Sequence, residues 1–175
     1  WYPGAMGGKA ISDLIFGEYS PSGKLPVTFY KNTNKLPDFE DYSMENRTYK
    51  FFREEPLYPF GYGLGYTTFA VADMKADQSK LRPGEGVTVS FKIRNTGDME
   101  GDEIVQIYVR DEEASVRVPV HKLCGMKRIT LKPGEEQEVS IIVDGALFAV
   151  IDENGEAVYE PGYFTLFAGG CQPDD

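Results

Sequence analysis

Apolar and polar positions along this chain fall into two regimes. Near the start, Met6, Ala10, Ile11, Leu14 and Ile15 recur at helical spacing, with Lys9, Ser12 and Asp13 on the other side and Gly17 placed to cap the C-terminus. The spacing predicts one short amphipathic helix. Pro21-Ser22-Gly23 then turns into Leu25 to Tyr30, which reads as a brief strand. A helix of about ten residues is marginal alone, since isolated helices below roughly 12 to 15 residues rarely persist in water. Its apolar face needs a surface to dock on. One helix and one strand are not a domain, so residues 1–30 read as the tail of a larger α/β layer.

From Ala70 onward the period changes to two. Val87, Val89, Phe91 and Ile93 alternate with polar residues, and Ile104 to Val109, Val139 to Val143 and Phe164 to Phe167 give further short strands. Pro83-Gly84, Asn95-Thr96-Gly97, Pro133-Gly134, Asn154-Gly155 and Pro161-Gly162 punctuate them as turns. Two segments repeat: LRPGEGVTVSFKI and LKPGEEQEVSIIV each read as a strand reached through a tight turn, at corresponding places in a two-sheet stack. Roughly seven short strands within about a hundred residues predict a mainly β fold, an immunoglobulin-like or fibronectin type III-like sandwich. The joint between the regimes is Leu57 to Phe69, where Tyr58, Phe60, Tyr62, Tyr66 and Phe69 surround Gly61, Gly63 and Gly65 behind Pro56 and Pro59. Glycine supplies positive φ and proline fixes φ, so this is an ordered aromatic turn segment. The Gly61-Tyr62-Gly63 start lacks the strand before and helix after that a dinucleotide-binding loop requires.

Between Lys31 and Glu55 the chain is polar and loop-like, crowded with ionisable and aromatic side chains. Connections this long are uncommon unless they are functional or drape a surface. Trp1 and the loop rings Phe39, Tyr42, Tyr49, Phe51 and Phe52 can stack on a sugar or glue the loop to the sandwich; gluing is the reading for all but Trp1 and Tyr42. Asn46-Arg47-Thr48 is a glycosylation sequon, relevant only in a eukaryotic secretory pathway.

Composition narrows the function classes. The chain has 175 residues, room for one domain with a core plus an attached piece, and a formal net charge of −10. That charge argues against nucleic acid or an anionic membrane as partner. The longest apolar run, Ala146 to Ile151, is too short to span a bilayer, and no charged-then-apolar signal segment opens the sequence at Trp1. Cys124, Cys171 and a single histidine lack the count and spacing of a zinc site. The two cysteines read as free thiols, which inclines the compartment towards the cytoplasm; one bridge through Cys171 is the alternative.

Carboxylates are plentiful. Asp98, Glu100, Asp102 and Glu103, and Asp111, Glu112 and Glu113, sit where sandwich loops are polar by default, and their spacing matches no calcium loop. Glu54 and Glu55, with Asp38, Glu40, Asp41 and Glu45, are better placed for a site, though no partner for them is identifiable. His121 has no nucleophile context and reads as a surface or edge residue.

Motif order then carries a resemblance over essentially the whole chain. Trp1-Tyr2-Pro3-Gly4, Gly7-Gly8, Ala10, Asp13, Phe16-Gly17 and Pro21-Ser22-Gly23-Lys24-Leu25-Pro26 with Thr28-Phe29, then Arg47-Thr48-Tyr49-Lys50-Phe51, resemble the C-terminal portion of family 3 glycoside hydrolases, the β-glucosidases and β-xylosidases. Pro59-Phe60-Gly61-Tyr62-Gly63-Leu64 with Tyr66-Thr67-Thr68-Phe69 is similar to a specific signature of that family. Asn95, Gly97, Gly101, Glu103, Val105-Gln106, Tyr108-Val109, Pro119, Leu123, Gly125 and Leu131 with Pro133-Gly134-Glu135 fall where its fibronectin type III-like domain has them. Gly65, Met126 and Gly169-Gly170-Cys171 depart from the usual pattern without touching chemistry.

The resemblance implies a retaining, double-displacement mechanism. A barrel aspartate attacks the anomeric carbon, and a glutamate on the following α/β sandwich protonates the leaving oxygen. Both belong upstream of Trp1-Tyr2-Pro3-Gly4, so no catalytic residue, cofactor site or metal site is assigned here. The implied divisions are 1–30 as the end of the α/β sandwich, 31–66 as connecting segment and 67–175 as the fibronectin-like domain. The implied partners are the barrel and α/β sandwich domains and, through them, β-linked sugars; no cofactor is required. Trp1, Tyr42 and Arg47 are the candidate substrate-proximal residues. A free-standing carbohydrate-binding or interaction sandwich is the rival reading.

Overall fold

Buried side chains at every second position of Val87–Asn95, with half-buried or exposed ones between them, place one strand at the centre of the molecule. In this computed structural model, which describes residues 2–174, eight strands follow in chain order. They are β1 (Phe69–Ala76), β2 (Val87–Asn95), β3 (Gly101–Asp111), β4 (Lys122–Leu131), β5 (Glu136–Val143), β6 (Val150–Ile151), β7 (Ala157–Val158) and β8 (Phe164–Gly169). One antiparallel sheet has the order β1-β2-β5 and the other β4-β3-β8, with β6-β7 as a small separate ribbon. Val89, Phe91 and Ile93 from the first sheet meet Val105, Ile107 and Val109 from the second, and Leu131, Val139 and Val143 complete the core. Each such side chain is worth about 1.5–3 kcal/mol relative to exposure. This is the mainly β sandwich that period two predicts.

The repeated Pro-Gly-Glu segments form two like turns. Gly84 and Gly134 have φ of +82° and +74°. Glu85 N–H donates to Arg82 O (2.9 Å) and Glu135 N–H to Lys132 O (3.0 Å). The Glu85 and Glu135 carboxylates in turn accept from the Arg82 and Lys132 N–H groups, both at 2.8 Å. The strands they launch are antiparallel neighbours in one sheet, with Val89 opposite Ile141, rather than counterparts in two facing sheets. Their shared pattern fits because both run through the same sheet with one face on the core.

Asn95 closes the end of β2. Fully buried, it donates to Met99 O (2.8 Å) and Leu131 O (2.9 Å) while its Oδ1 accepts from Thr67 Oγ1 (2.6 Å) and Gly97 N–H (3.0 Å). One side chain thus ties both sheets to the chain entering from the aromatic joint.

Helix α1 (Gly7–Ile15) forms where predicted. Gly17 at φ +73° ends it, with Gly17 N–H donating to Leu14 O (3.1 Å) and Glu18 N–H to Asp13 O (2.9 Å). A second helix, α2 (Thr48–Phe51), is a single turn in the connecting segment. The strand expected from Leu25 to Tyr30 is reduced to one antiparallel bridge between Phe29 and Tyr58, because Pro26 withdraws a ladder donor. The joint itself docks firmly on the sandwich. Gln106, buried beneath it, donates to Gly61 O (3.2 Å) and Gly170 O (2.8 Å) and accepts from the Tyr108 hydroxyl (2.5 Å).

Candidate functional site

Two arginines shape the loop over residues 36–47. Arg47 reaches back to Asp38 O (Nη2, 2.6 Å) and Asp41 O (Nε, 3.2 Å). Arg117, from the segment between β3 and β4, donates to Ser43 O and lies over the Phe51 ring, 5.2 Å from its centre. The Asp41 carboxylate accepts from Ser43 N–H (2.8 Å), and the bonds from Ser43 hold its pKa below the ordinary carboxylate value, with Arg47 and Arg117 adding to the shift. Met44, Asn46 and Thr48 all sit at positive φ (65°, 54° and 56°). Non-glycine residues adopt that region at a cost, so the bracing holds a strained backbone.

The braced loop presents two rings to solvent. Tyr42 is 83 % exposed and Phe39 88 % exposed. Two of the other loop rings pack inward: Tyr49 stacks on Phe60 (4.2 Å between centres) and meets Tyr108 of β3 edge-on (6.5 Å), which is the gluing to the sandwich expected of it, and buried Phe52 meets Tyr30 edge-on (4.7 Å). Phe39 departs from that expectation. Its neighbours Asp38, Glu40 and Asp41 form tight polar turns that leave its ring outside. Of the predicted substrate-proximal residues, Tyr42 and Arg47 share this loop, Arg47 as its brace; Trp1 lies outside the described residues.

Below α2 opens a cavity of 430 Å³ that includes Thr28, Tyr49, Phe52, Glu54, Glu55 and His121 in its lining. His121 corrects the sequence expectation. It is 1 % exposed, its ring edge-on to Phe167 at 5.2 Å, because Val120 N–H pairs with Lys50 O (2.7 Å) and draws this stretch under the connecting segment. Glu54 pairs with Lys35 (3.3 Å) and Glu55 with Lys31 at the surface.

Three acids of the sandwich make structural contacts. Asp102 binds Arg128 (2.7 Å) and Thr130 (2.6 Å), and the Thr130 bond chiefly lowers its pKa. Glu103 and Lys24 form an ion pair (2.6 Å) in which each side chain is 15 % exposed, clamping the N-terminal segment to β3. Glu112 binds Thr165 (2.5 Å) and Arg110 (2.9 Å). Among the described residues no group of three or more His, Cys, Asp or Glu is placed to hold a metal.

A second surface lies around α1. Met6, Ile11, Ile15 and Phe16 are 66, 54, 71 and 80 % exposed, and Leu64 of the joint 72 %. Tyr66, whose hydroxyl donates to Leu14 O (2.9 Å), links helix and joint into one unit. The sequence signals the helix face, but Leu64, Phe39 and the bracing Arg117 carry no periodic signal, since their roles depend on distant residues.

Comparison with known proteins accounts for this arrangement. Residues 1–66 match the glycosyl hydrolase family 3 C-terminal domain and residues 103–172 the fibronectin type III-like domain. The chain is 39 % identical to a periplasmic beta-glucosidase of Salmonella typhimurium, over 97 % of this chain and 24 % of that protein. It is 46 % identical to a xylan 1,4-beta-xylosidase of Xylanibacter ruminicola, over 99 % of this chain and 20 % of that protein. Its fold superposes on the crystal structure of the Bifidobacterium adolescentis GH3 beta-glucosidase with a TM-score of 0.85 at 32 % identity, covering 96 % of this chain and 27 % of that one. The chain thus spans about a quarter of the length of the relatives it matches. It belongs to family 3 of the glycosyl hydrolases and corresponds to the C-terminal part of those proteins.

Proposed function

We propose that this chain is the C-terminal structural part of a retaining, exo-acting β-glycosidase, and that it works by bracing the catalytic domains rather than by catalysing. The observation that carries this is the apolar surface of α1 and the joint, held in shape by the Tyr66–Leu14 bond yet open to solvent. Apolar surface presented in this way marks a contact with other protein. In this reading residues 1–30 complete the α/β sandwich, 31–66 connect, and 67–175 form the buttress. The partners are the barrel and α/β sandwich domains, and β-linked sugars reach the protein through them.

Within that assembly Trp1 and Tyr42 approach the sugar, and Arg47 acts as a positioning residue by fixing the loop that carries Tyr42. A glycosidase needs two carboxylates at a set separation in a preorganised pocket. The purified chain is therefore expected to leave p-nitrophenyl β-glucoside and β-xyloside intact. Hydrolysis by the chain that disappears when one of its own acids is substituted would overturn this reading. In a longer family 3 polypeptide carrying this part, Tyr42→Ala is expected to raise KM up to about tenfold with kcat largely kept, the scale of one lost ring contact. An unchanged KM removes Tyr42 from the sugar's surroundings while leaving the bracing role in place.

A further inference from the structure

The walls of the 430 Å³ cavity below α2 are pinned from distant parts of the chain. The Tyr49 ring is stacked on Phe60 (4.2 Å), and its hydroxyl accepts from Leu123 N–H (3.4 Å). Gln172, near the other end of the sequence, donates through Nε2 to Tyr49 O (3.0 Å) and through its N–H to Phe60 O (2.9 Å). Phe52, 7 % exposed, adds a second ring to the lining. Sites for small molecules are largely preformed clefts of about 300–1,000 Å³ in which apolar walls carry a few polar groups. This cavity has that make-up and lies at the lower end of the range.

Two polar groups on those walls are not used by the fold. Thr28 Oγ1 is buried with no hydrogen-bond partner among the described residues. A hydroxyl taken out of water unpaired is costly, and native structures leave few of them. The Arg53 guanidinium also lines the cavity and, among the described residues, makes no hydrogen bond, ion pair or ring contact. Charge then decides what can meet these groups. The carboxylates of Glu54, Glu55 and Asp174 on the lining are matched by three cations: Arg53, Lys35 on Glu54 (3.3 Å) and Lys31 on Glu55. Among the described residues neither an anion nor a cation therefore finds a net opposite charge. The ligand that fits is neutral. It carries hydroxyls for Thr28, for the donors of Arg53 and for the acceptors of Glu54 and Glu55, and an apolar ring face for Tyr49 and Phe52.

We infer that this cavity binds one free aldopyranose, with Thr28 and Arg53 holding its hydroxyls. A pyranose combines what the walls ask for: no charge, hydroxyls around the rim of the ring and C–H groups on its faces. The volume suits a single sugar ring rather than a chain of them. The inference does not rest on the glycosidase reading, because the site is built wholly from this chain and its loss leaves the bracing role untouched.

The test is a titration of the intact chain with D-xylose and, separately, D-glucose, followed by amide and methyl NMR shifts. Saturable shifts at Thr28, Tyr49 and Arg53 with a Kd of about 1–10 mM are expected, and glycerol at the same concentration should give none. Thr28→Val removes a hydroxyl that the fold does not use, so the unfolding midpoint should hold or rise while sugar binding weakens about three- to tenfold. Arg53→Met, at an exposed position, should keep the fold and weaken binding by more than about tenfold. No saturable shift up to about 50 mM of either sugar overturns the inference. Sugar binding that both variants leave unchanged does the same, because the sugar then sits elsewhere on the chain. Saturable shifts with acetate or phosphate in place of the sugars would make the ligand an anion and overturn the stated occupant.

Discussion

At the scale of single residues, the buried polar groups decide more than the exposed ones. Tyr108 is fully buried, and its hydroxyl is the donor that satisfies Gln106 Oε1. Tyr108→Phe leaves that acceptor without its partner and is expected to cost about 1–3 kcal/mol at neutral pH, read from the denaturant midpoint. Burial also pushes the Tyr108 phenol well above its ordinary pKa. The unfolded chain therefore loses this proton first. The associated stability is complete below about pH 10 and declines as pH rises beyond it. Burial pushes the Cys124 thiol from 9.0 up to about 11, so its contribution is lost from pH 9 through that value. Tyr108→Phe should show a lower midpoint at pH 7 and a flatter decline above pH 10; a parallel decline in both proteins would show that Tyr108 does not titrate this way. Tyr108 and Gln106 stand in the sequence as two members of an alternating strand, and nothing in that pattern says that one will satisfy the other beneath the aromatic joint.

At the scale of elements, legibility follows burial geometry. β2 was readable because one face is sealed and the other open, which prints period two into the sequence. β4 was not, because its burial does not alternate: its first four residues are all half-buried and the next three exposed, so no face repeats. Gly125 in that strand shows what its sequence does encode. A Cβ at this position would stand 2.6 Å from Ile141 Cγ2 of the facing sheet, a stiff branched side chain that cannot swing away. Gly125→Ala is expected to destabilise by about 1–3 kcal/mol despite the entropic gain of replacing a strand glycine. Combined with Ile141→Ala, the loss should fall short of the sum of the single variants by more than about 0.5 kcal/mol. Additive losses would mean that the sheets do not meet at this point. The loop over 36–47 was the least legible element. Arg47 and Tyr42 could be singled out from residue type, but the brace from Arg117 lies 74 positions from its acceptor Ser43, and no local pattern records so distant a contact.

At the scale of the whole molecule, the sandwich is sealed on the inside while the stretch around α1 keeps large apolar residues outside. Ile93 and Ile107 are 0 % exposed, whereas Ile15 and Phe16 are 71 and 80 % exposed. The same residue type therefore has opposite weight in the two regions. Ile15→Lys removes little buried area in this chain, and its effect on stability is expected to stay within about 0.5 kcal/mol. Ile107→Ala should cost about 2–5 kcal/mol, because it opens a void between the sheets. The outer surface should also bind a hydrophobic dye such as ANS in the folded chain, and Ile15→Lys with Phe16→Lys should reduce that fluorescence without shifting the unfolding midpoint by more than about 0.5 kcal/mol. A midpoint drop of several kcal/mol would place α1 in the folding core of this chain. Its apolar face would then be satisfied internally, and the case for docking on other domains would be lost. Retained stability with reduced dye binding is what the proposed docking surface requires.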